Sequence, residues 1–170
     1  MKKSIQLPLQ TGDLIVGFMV WVILSSLLPY ILQDIAIPPD RVALVTAVPV
    51  ILGSVLRVPL GYLTNRLGAR TVFLASFVCL LLPVWLISEA TTYEALITGG
   101  VFLGIGGSVF SVGVTSLPKY YPRERHGFVN GVYGFGNMGT ALTTWLAPLA
   151  AATLANFRQI EKPGRMGAIC

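Results

Sequence analysis

The sequence predicts an all-α membrane protein with five transmembrane helices, and two observations lead to this prediction. Hydrophobic residues make up 54% of the 170 residues and charged residues only 11%, with a mean hydropathy of +0.74. A soluble domain carries roughly 25% charged residues. The chain also contains five long intervals that are almost free of charge. Because backbone polar groups must be satisfied inside the hydrocarbon, these intervals are expected to be helices.

The lengths of these intervals set the expected spans, since a bilayer-crossing helix needs about 20 mainly apolar residues. The predicted helices cover about residues 12–33, 42–64, 71–88, 94–117 and 127–153. Together they form one predicted transmembrane bundle, residues 1–153. Residues 154–170 are polar and basic without an apolar run, which predicts a tail outside the bundle.

The distribution of basic residues predicts the orientation, because Lys and Arg are enriched in cytoplasmic loops. The loops on one side contain Arg41 alone, whereas the other side contains Lys2, Lys3, Arg66, Arg70, Lys119, Arg123 and Arg125. We therefore expect a multi-pass protein of the cell membrane, in contact with the lipid bilayer, with a cytoplasmic N-terminus. The net charge is +5, but the basic residues stand in short runs between apolar stretches, which argues against nucleic acid as a partner.

Arg57 is the first candidate for a functional residue, because it lies well inside the second predicted span. An intramembrane Arg costs at least about 2.5 kcal/mol on insertion scales and is expected to face protein or water. Gly53 and Gly61 stand at i−4 and i+4 on its face, so a neighbouring helix or a ligand can approach closely. No Asp or Glu is available inside the spans as a partner. The planar guanidinium therefore suits a small planar oxyanion, and snorkelling to the interface is the alternative.

Two further residues are candidates for the same ligand. Phe110 shares a face of the fourth segment with Gly106 and Gly113 and could stack on a planar anion, or it could be a packing residue. Asn137 lies in a glycine-rich part of the fifth segment, where an amide seeks a hydrogen-bond partner. That partner is either the substrate or a neighbouring helix.

Residues 61–70 connect the second and third spans and resemble the loop motif of the major facilitator superfamily, G-x-L-x-D-R-x-G-R-R/K. The matching residues are Gly61, Asn65, Arg66, Gly68 and Arg70. Gly68 permits a tight turn. Asn65 replaces the usual Asp, which weakens the acidic part of the charge relay that the resemblance assigns to inner-side gating.

Other stretches resemble the nitrate/nitrite porter family within that superfamily. They are Gly17-Phe18-Met-Val-Trp21, Thr46-Ala-Val-Pro49, Leu56-Arg57-Val-Pro59, Pro118-Lys-Tyr-Tyr-Pro122 and Gly134-Phe-Gly136-Asn137-Met-Gly139-Thr140-Ala141. The resemblance implies five helices of an N-terminal six-helix half and a role in nitrate assimilation. It implies that Arg57, Phe110 and Asn137 bind nitrate or nitrite. It also implies that Gly134, Gly136 and Gly139 let helices slide during alternating access.

The resemblance also implies that an opposing C-terminal half completes the intact relative, so this chain is expected to be a fragment that is inactive alone. Its basic tail, residues 154–170, is interpreted as foreign to the family, as a frameshift or premature stop would produce. An ordinary short outer tail is the other explanation. A porter for another small organic anion, or a non-transporting module that needs a partner chain, are the alternative functions.

The coupling of transport is predicted from the charges inside the spans. Asp13 and Glu94 are expected at helix starts, and Arg57 keeps its proton under physiological conditions. We therefore expect nitrate/nitrite exchange rather than nitrate/proton symport, although the missing half could carry a proton relay. The sequence contains no constellation typical of an enzyme or of a metal or cofactor site, so no enzymatic activity and no cofactor are expected.

Overall fold

A computed structural model describes residues 3–161 of the chain, with side chains described for residues 5–154. The described residues form five helices and no strand, which confirms the predicted all-α class. Helix α1 consists of Lys3–Trp21 and Ile23–Asp34, α2 of Pro39–Leu67, and α3 of Ala69–Ser88. Helix α4 consists of Tyr93–Ser108 and Phe110–Ser116, and α5 of His126–Gly134 and Met138–Glu161. Residues 162–170, which make up most of the expected tail, lie outside the described residues.

Helix α1 begins at Lys3, whereas the sequence predicted its start near residue 12. The polar residues Gln6, Gln10 and Thr11 precede the predicted start, yet all three are buried. Gln10 is hydrogen-bonded by a neighbouring helix, because Ser116 of α4 donates to its Oε1 at 2.9 Å. Asp13 is therefore an interior residue of α1, and the expectation that it marks a helix start is wrong.

A single residue connects α2 to α3. Helix α2 ends at Leu67 and α3 begins at Ala69, so Gly68 alone makes the turn. Gly68 has φ 83° and ψ 154°, a conformation that is essentially restricted to glycine. Its N–H donates to the Thr64 carbonyl at 3.1 Å, which closes the last turn of α2.

Helix α4 is the centre of the bundle and packs against the other four helices. Glycines at its surface allow this close approach, because a side chain at these positions would collide with a neighbouring helix. The distances from an added Cβ atom to the nearest atoms show this. At Gly104 the added atom would lie 2.9 Å from the Gly53 nitrogen of α2, and at Gly106 it would lie 2.8 Å from the Gly17 oxygen of α1. Gly113 faces the ring of Tyr133 in α5 in the same way. Small residues at crossings are typical of helix packing in membranes.

The outer surface of the bundle is apolar. Large hydrophobic side chains such as Trp145, Val58 and Leu81 are between 70% and 82% exposed, which suits contact with lipid rather than water. Helices α1 to α4 are long and apolar enough to cross a membrane, and α5 is interrupted by a 3₁₀ turn at Phe135–Asn137.

We predict that Gly104→Ala destabilises the bundle. The new Cβ would lie 2.9 Å from both the Gly53 nitrogen and the Leu52 Cβ, so α2 and α4 have to separate. Overpacking of this kind costs about 1–3 kcal/mol, which thermal unfolding in detergent detects as a lower midpoint. Gly131→Ala is the matched control, since a Cβ there meets nothing within 4 Å and alanine favours helix by about 1 kcal/mol. Equal midpoints for the two variants would contradict the packing described for α4.

We also predict that Gly68→Ala destabilises the α2–α3 turn by about 1–3 kcal/mol, because alanine disfavours the backbone conformation of Gly68. The thermal midpoint is the measurement. Gly127→Ala serves as the control, since this glycine also has open space around it but no positive φ. A Gly68→Ala midpoint at or above that of the control would refute the requirement for glycine.

Candidate functional site

The Arg57 side chain points from α2 to α4 and is half-buried. Its Nε donates to the Gly107 carbonyl of α4 at 3.4 Å, and its Cζ lies 5.3 Å from the centroid of the Phe110 ring. The flanking glycines allow this approach, because a Cβ at Gly53 would lie 3.0 Å from the Gly104 oxygen. Arg57 therefore faces a neighbouring helix, as its sequence position predicted, rather than the lipid.

The charge of Arg57 is not neutralised by a carboxylate in the part of the chain that the structure describes. Its contacts there are a carbonyl dipole and an aromatic face, and both attract a cation without cancelling its charge. The hydrogen bond uses Nε, so the terminal Nη groups are available to a ligand. This arrangement is chemically suited to a small anion.

Phe110 is placed beneath Arg57 by aromatic packing. Its ring centroid lies 6.3 Å from that of Phe18 in α1 and 5.7 Å from that of Tyr133 in α5. The structure thus brings together two of the three predicted substrate residues, Arg57 and Phe110, and fixes the aromatic ring from two further helices.

Asn137 is not joined to this pair by any hydrogen bond among the described residues. It lies in the 3₁₀ turn of α5 with an exposed side chain, and its Nδ2 donates to the Gly134 carbonyl at 2.7 Å. The Gly134 carbonyl therefore takes one N–H of the amide, and the second N–H has no partner among the described residues.

The three signature glycines have different surroundings. Gly136 packs against the Leu14 side chain and Gly139 against the Ile15 backbone, so both lie where α5 crosses α1. Gly134 has open space around its Cα. Two of the three glycines are thus needed for close helix contact in this conformation.

The loop residues 61–70 contact two other elements. Lys119, at the end of α4, donates its Nζ to the Asn65 Oδ1 at 2.7 Å. The amide oxygen of Asn65 therefore binds a basic partner even though it lacks the charge of the usual Asp. The Cζ of Arg66 lies 4.8 Å from the Tyr62 ring centroid, Gly61 approaches Thr115, and Arg70 is exposed beside a cavity between α1 and α3.

Two residues near the site were missed as functional candidates. Tyr133 is fully buried, and its hydroxyl contacts the carbonyls of Val109 and Phe110 at 3.3 and 3.2 Å. The Trp21 indole covers Gly107 and donates to the Pro49 carbonyl at 3.1 Å. A Tyr or Trp inside an apolar segment indicates that its O–H or N–H needs a hydrogen-bond partner. The sequence does not show which residue of another helix supplies that partner.

Comparison with known proteins gives a consistent result. The nitrite extrusion protein of Bacillus subtilis (strain 168) is 61% identical over 150 residues, which is 88% of this chain and 38% of that protein. The probable nitrate transporter NarT of Staphylococcus carnosus (strain TM300) is 53% identical over 153 residues, and NarT of Staphylococcus aureus (strain JH9) is 52% identical over the same number. Each match covers 90% of this chain and 39% of the relative.

The chain therefore spans less than two fifths of the length of these relatives, and the match lies in their N-terminal part. Residues 14–160 match the family model described as Major Facilitator Superfamily. This match includes Arg57, Phe110, the loop at residues 61–70 and the glycines of α5. The chain belongs to the Major Facilitator Superfamily.

Proposed function

We propose that this chain binds nitrate and nitrite at Arg57 and forms part of a transporter that moves these anions across the cell membrane. The observation that carries the proposal is the Arg57 guanidinium, which lies over Phe110 without a carboxylate partner among the described residues. The names of the similar proteins, a nitrite extrusion protein and nitrate transporters, support this choice of anion.

The chemistry of the two groups suits a flat anion. Nitrate is planar, so its oxygens can accept two parallel hydrogen bonds from a guanidinium, as carboxylates do. The Phe110 ring gives the bound anion a flat apolar wall, while the cation above the ring supplies the charge. A lysine ammonium has the same charge but lacks the planar fork. Asn137 remains a predicted third ligand, and the second N–H of its amide is the donor that it would offer to the anion.

We propose that transport occurs by alternating access, with a second set of helices opposite the Arg57 face. The part of the relatives that this chain does not match would supply those helices. The chain alone would then bind the anion without moving it. Gly136 and Gly139 let α5 lie directly on α1, a smooth contact along which the helices can slide. The basic side chains of residues 61–70 and 119–125 support a cytoplasmic N-terminus.

We predict that Arg57→Lys lowers the affinity for nitrate at least tenfold. The expected loss is about 1.5–3 kcal/mol, because a charge-assisted hydrogen bond of the guanidinium fork is removed while the charge stays. Calorimetric titration of the purified chain in lipid nanodiscs with nitrate measures the affinity.

Arg41→Lys is the matched control. The Cζ of Arg41 also lies near an aromatic ring, 5.7 Å from the Tyr93 centroid, but at the far end of α2 and exposed. Its affinity for nitrate should equal that of the wild type. Equal affinities of the Arg57→Lys and Arg41→Lys variants would refute the proposed site, and preference for a bulkier organic carboxylate over nitrate would refute the proposed substrate.

Phe110→Leu tests the aromatic wall separately from the charge. Loss of the ring removes a contact worth about 0.5–1.5 kcal/mol, so we expect nitrate to bind roughly 2- to 13-fold more weakly. Phe102→Leu on the same helix is the control, because Phe102 is exposed and lines a cavity to which neither Arg57 nor Phe110 contributes. The same titration measures both variants, and an unchanged affinity in Phe110→Leu would exclude Phe110 from the binding site.

A further inference from the structure

Asp13 is an acidic residue inside a candidate membrane span. The span in α1 runs from Ile5 to Asp34, and Asp13 stands eight residues beyond Ile5, about 12 Å along the axis at 1.5 Å per residue. Exchange is expected in preference to proton symport only on the assumption that no carboxyl group lies inside a span. The position of Asp13 removes that assumption.

Asp13 lines a cavity of about 790 Å³ between α1 and the N-terminal half of α3. The polar part of the cavity wall comes from Gln6, Gln10 and Asp13 of α1, with Arg70 of α3 and Tyr120 after α4. The three residues of α1 stand at i, i+4 and i+7, so they form one polar face of the helix. The rest of the wall is apolar, and a cavity of this size with polar groups on one side can admit water.

The polar neighbours of Asp13 have their hydrogen bonds satisfied, in contrast to its carboxylate. Gln10 donates to Gln6 at 3.3 Å and accepts from Ser116 at 2.9 Å. Among the described side chains, none forms a hydrogen bond or an ion pair with Asp13. Arg70 borders the same cavity but is exposed. An ionised carboxylate in an apolar helix segment is costly without a partner, and protonation removes that cost.

The other titratable groups near this region face it from three elements. Arg70 comes from α3 and Tyr120 from the end of α4. From α5, the Tyr133 hydroxyl contacts the carbonyls of Val109 and Phe110, and His126 Nε2 contacts the Tyr121 carbonyl at 2.9 Å. The Tyr133 hydroxyl is held by these carbonyls and also interacts electrostatically with Asp13, whereas His126 is engaged elsewhere. Asp13 is the carboxylic acid that lines the cavity.

A chain of packed residues connects Asp13 to the anion site. Leu14, the next residue, belongs to a buried cluster with Phe18 and Tyr133, and Phe110 packs against this cluster. Phe110 lies beneath Arg57. A shift of α1 on protonation would therefore reach the wall of the anion site through Phe18.

We infer that Asp13 is the proton-binding residue of this transporter and that its protonation favours anion binding at Arg57. The inference rests on the proposed function. A proton from solvent in the cavity joins the Asp13 carboxylate, which becomes a neutral acid and stops repelling the incoming anion. Because coupling between two sites is reciprocal, bound nitrate favours the protonated acid to the same extent. The transport mode that follows is nitrate/proton symport.

The test is nitrate titration of the chain in nanodiscs, in two buffers of different ionisation enthalpy, which counts the protons taken up with the anion. We expect proton uptake and a nitrate affinity that falls about fivefold or more as the pH rises through the titration of Asp13. Asp13→Asn should bind nitrate without proton uptake and without this pH dependence. Asp13→Glu should restore both.

Asp34→Asn is the matched control, since Asp34 is the exposed carboxylate at the other end of α1; it should behave as the wild type. Proton uptake that persists unchanged in Asp13→Asn would overturn the inference while leaving the nitrate site intact. A nitrate affinity that follows sodium concentration at fixed pH would also overturn it, in favour of a sodium site.

An infrared pH titration without nitrate separates this inference from the proposed function. It should show a carboxylic-acid band that is lost in Asp13→Asn and retained in Asp34→Asn. If nitrate does not bind, the proposed function fails, and the band still decides whether Asp13 takes up a proton in the membrane. Absence of the band at every pH would overturn the inference.

Discussion

A guanidinium group inside a bundle of apolar helices is the constraint on which the rest of this structure depends. Arg57 keeps its charge, and lipid offers it no hydrogen bonds. The protein solvates it with the Gly107 carbonyl and the Phe110 ring rather than with a carboxylate of the described chain. An acidic partner would have satisfied the cation permanently, whereas a carbonyl and a ring leave it able to attract an anion.

The glycine-rich surface of α4 follows from that constraint. Arg57 reaches the Gly107 carbonyl only because α2 and α4 approach closely at Gly53 and Gly104. The same helix accepts Trp21 of α1 against Gly107 and Tyr133 of α5 against Gly113. At these glycines the backbone of one helix lies against the backbone or an aromatic ring of the next, so few side chains interlock. Such contacts suit a bundle whose helices move against one another.

The polar face of α1 forms a second environment within the same bundle. Gln6 and Gln10 are buried and hydrogen-bonded, while Asp13 borders the cavity. The cation of α2 and the carboxylate of α1 thus stand on different helices without forming an ion pair among the described residues. Separation keeps both groups available to external ions, and the aromatic cluster between them gives a physical route for coupling.

The amino-acid sequence by itself determined the helical class, the approximate positions of the helices, the glycine at residue 68 as a turn residue and the presence of Arg57 inside a helix. These features are local, because they depend on the hydropathy of a segment, on the backbone freedom of glycine and on the cost of a charge among apolar neighbours. Only the tertiary structure decided which groups meet. The buried Gln10 amide is hydrogen-bonded by Ser116, 106 residues away, and one N–H of the Asn137 amide is bonded within its own turn. A helix's own sequence specifies which residues share a face, but the partner of that face is set by how separate helices pack.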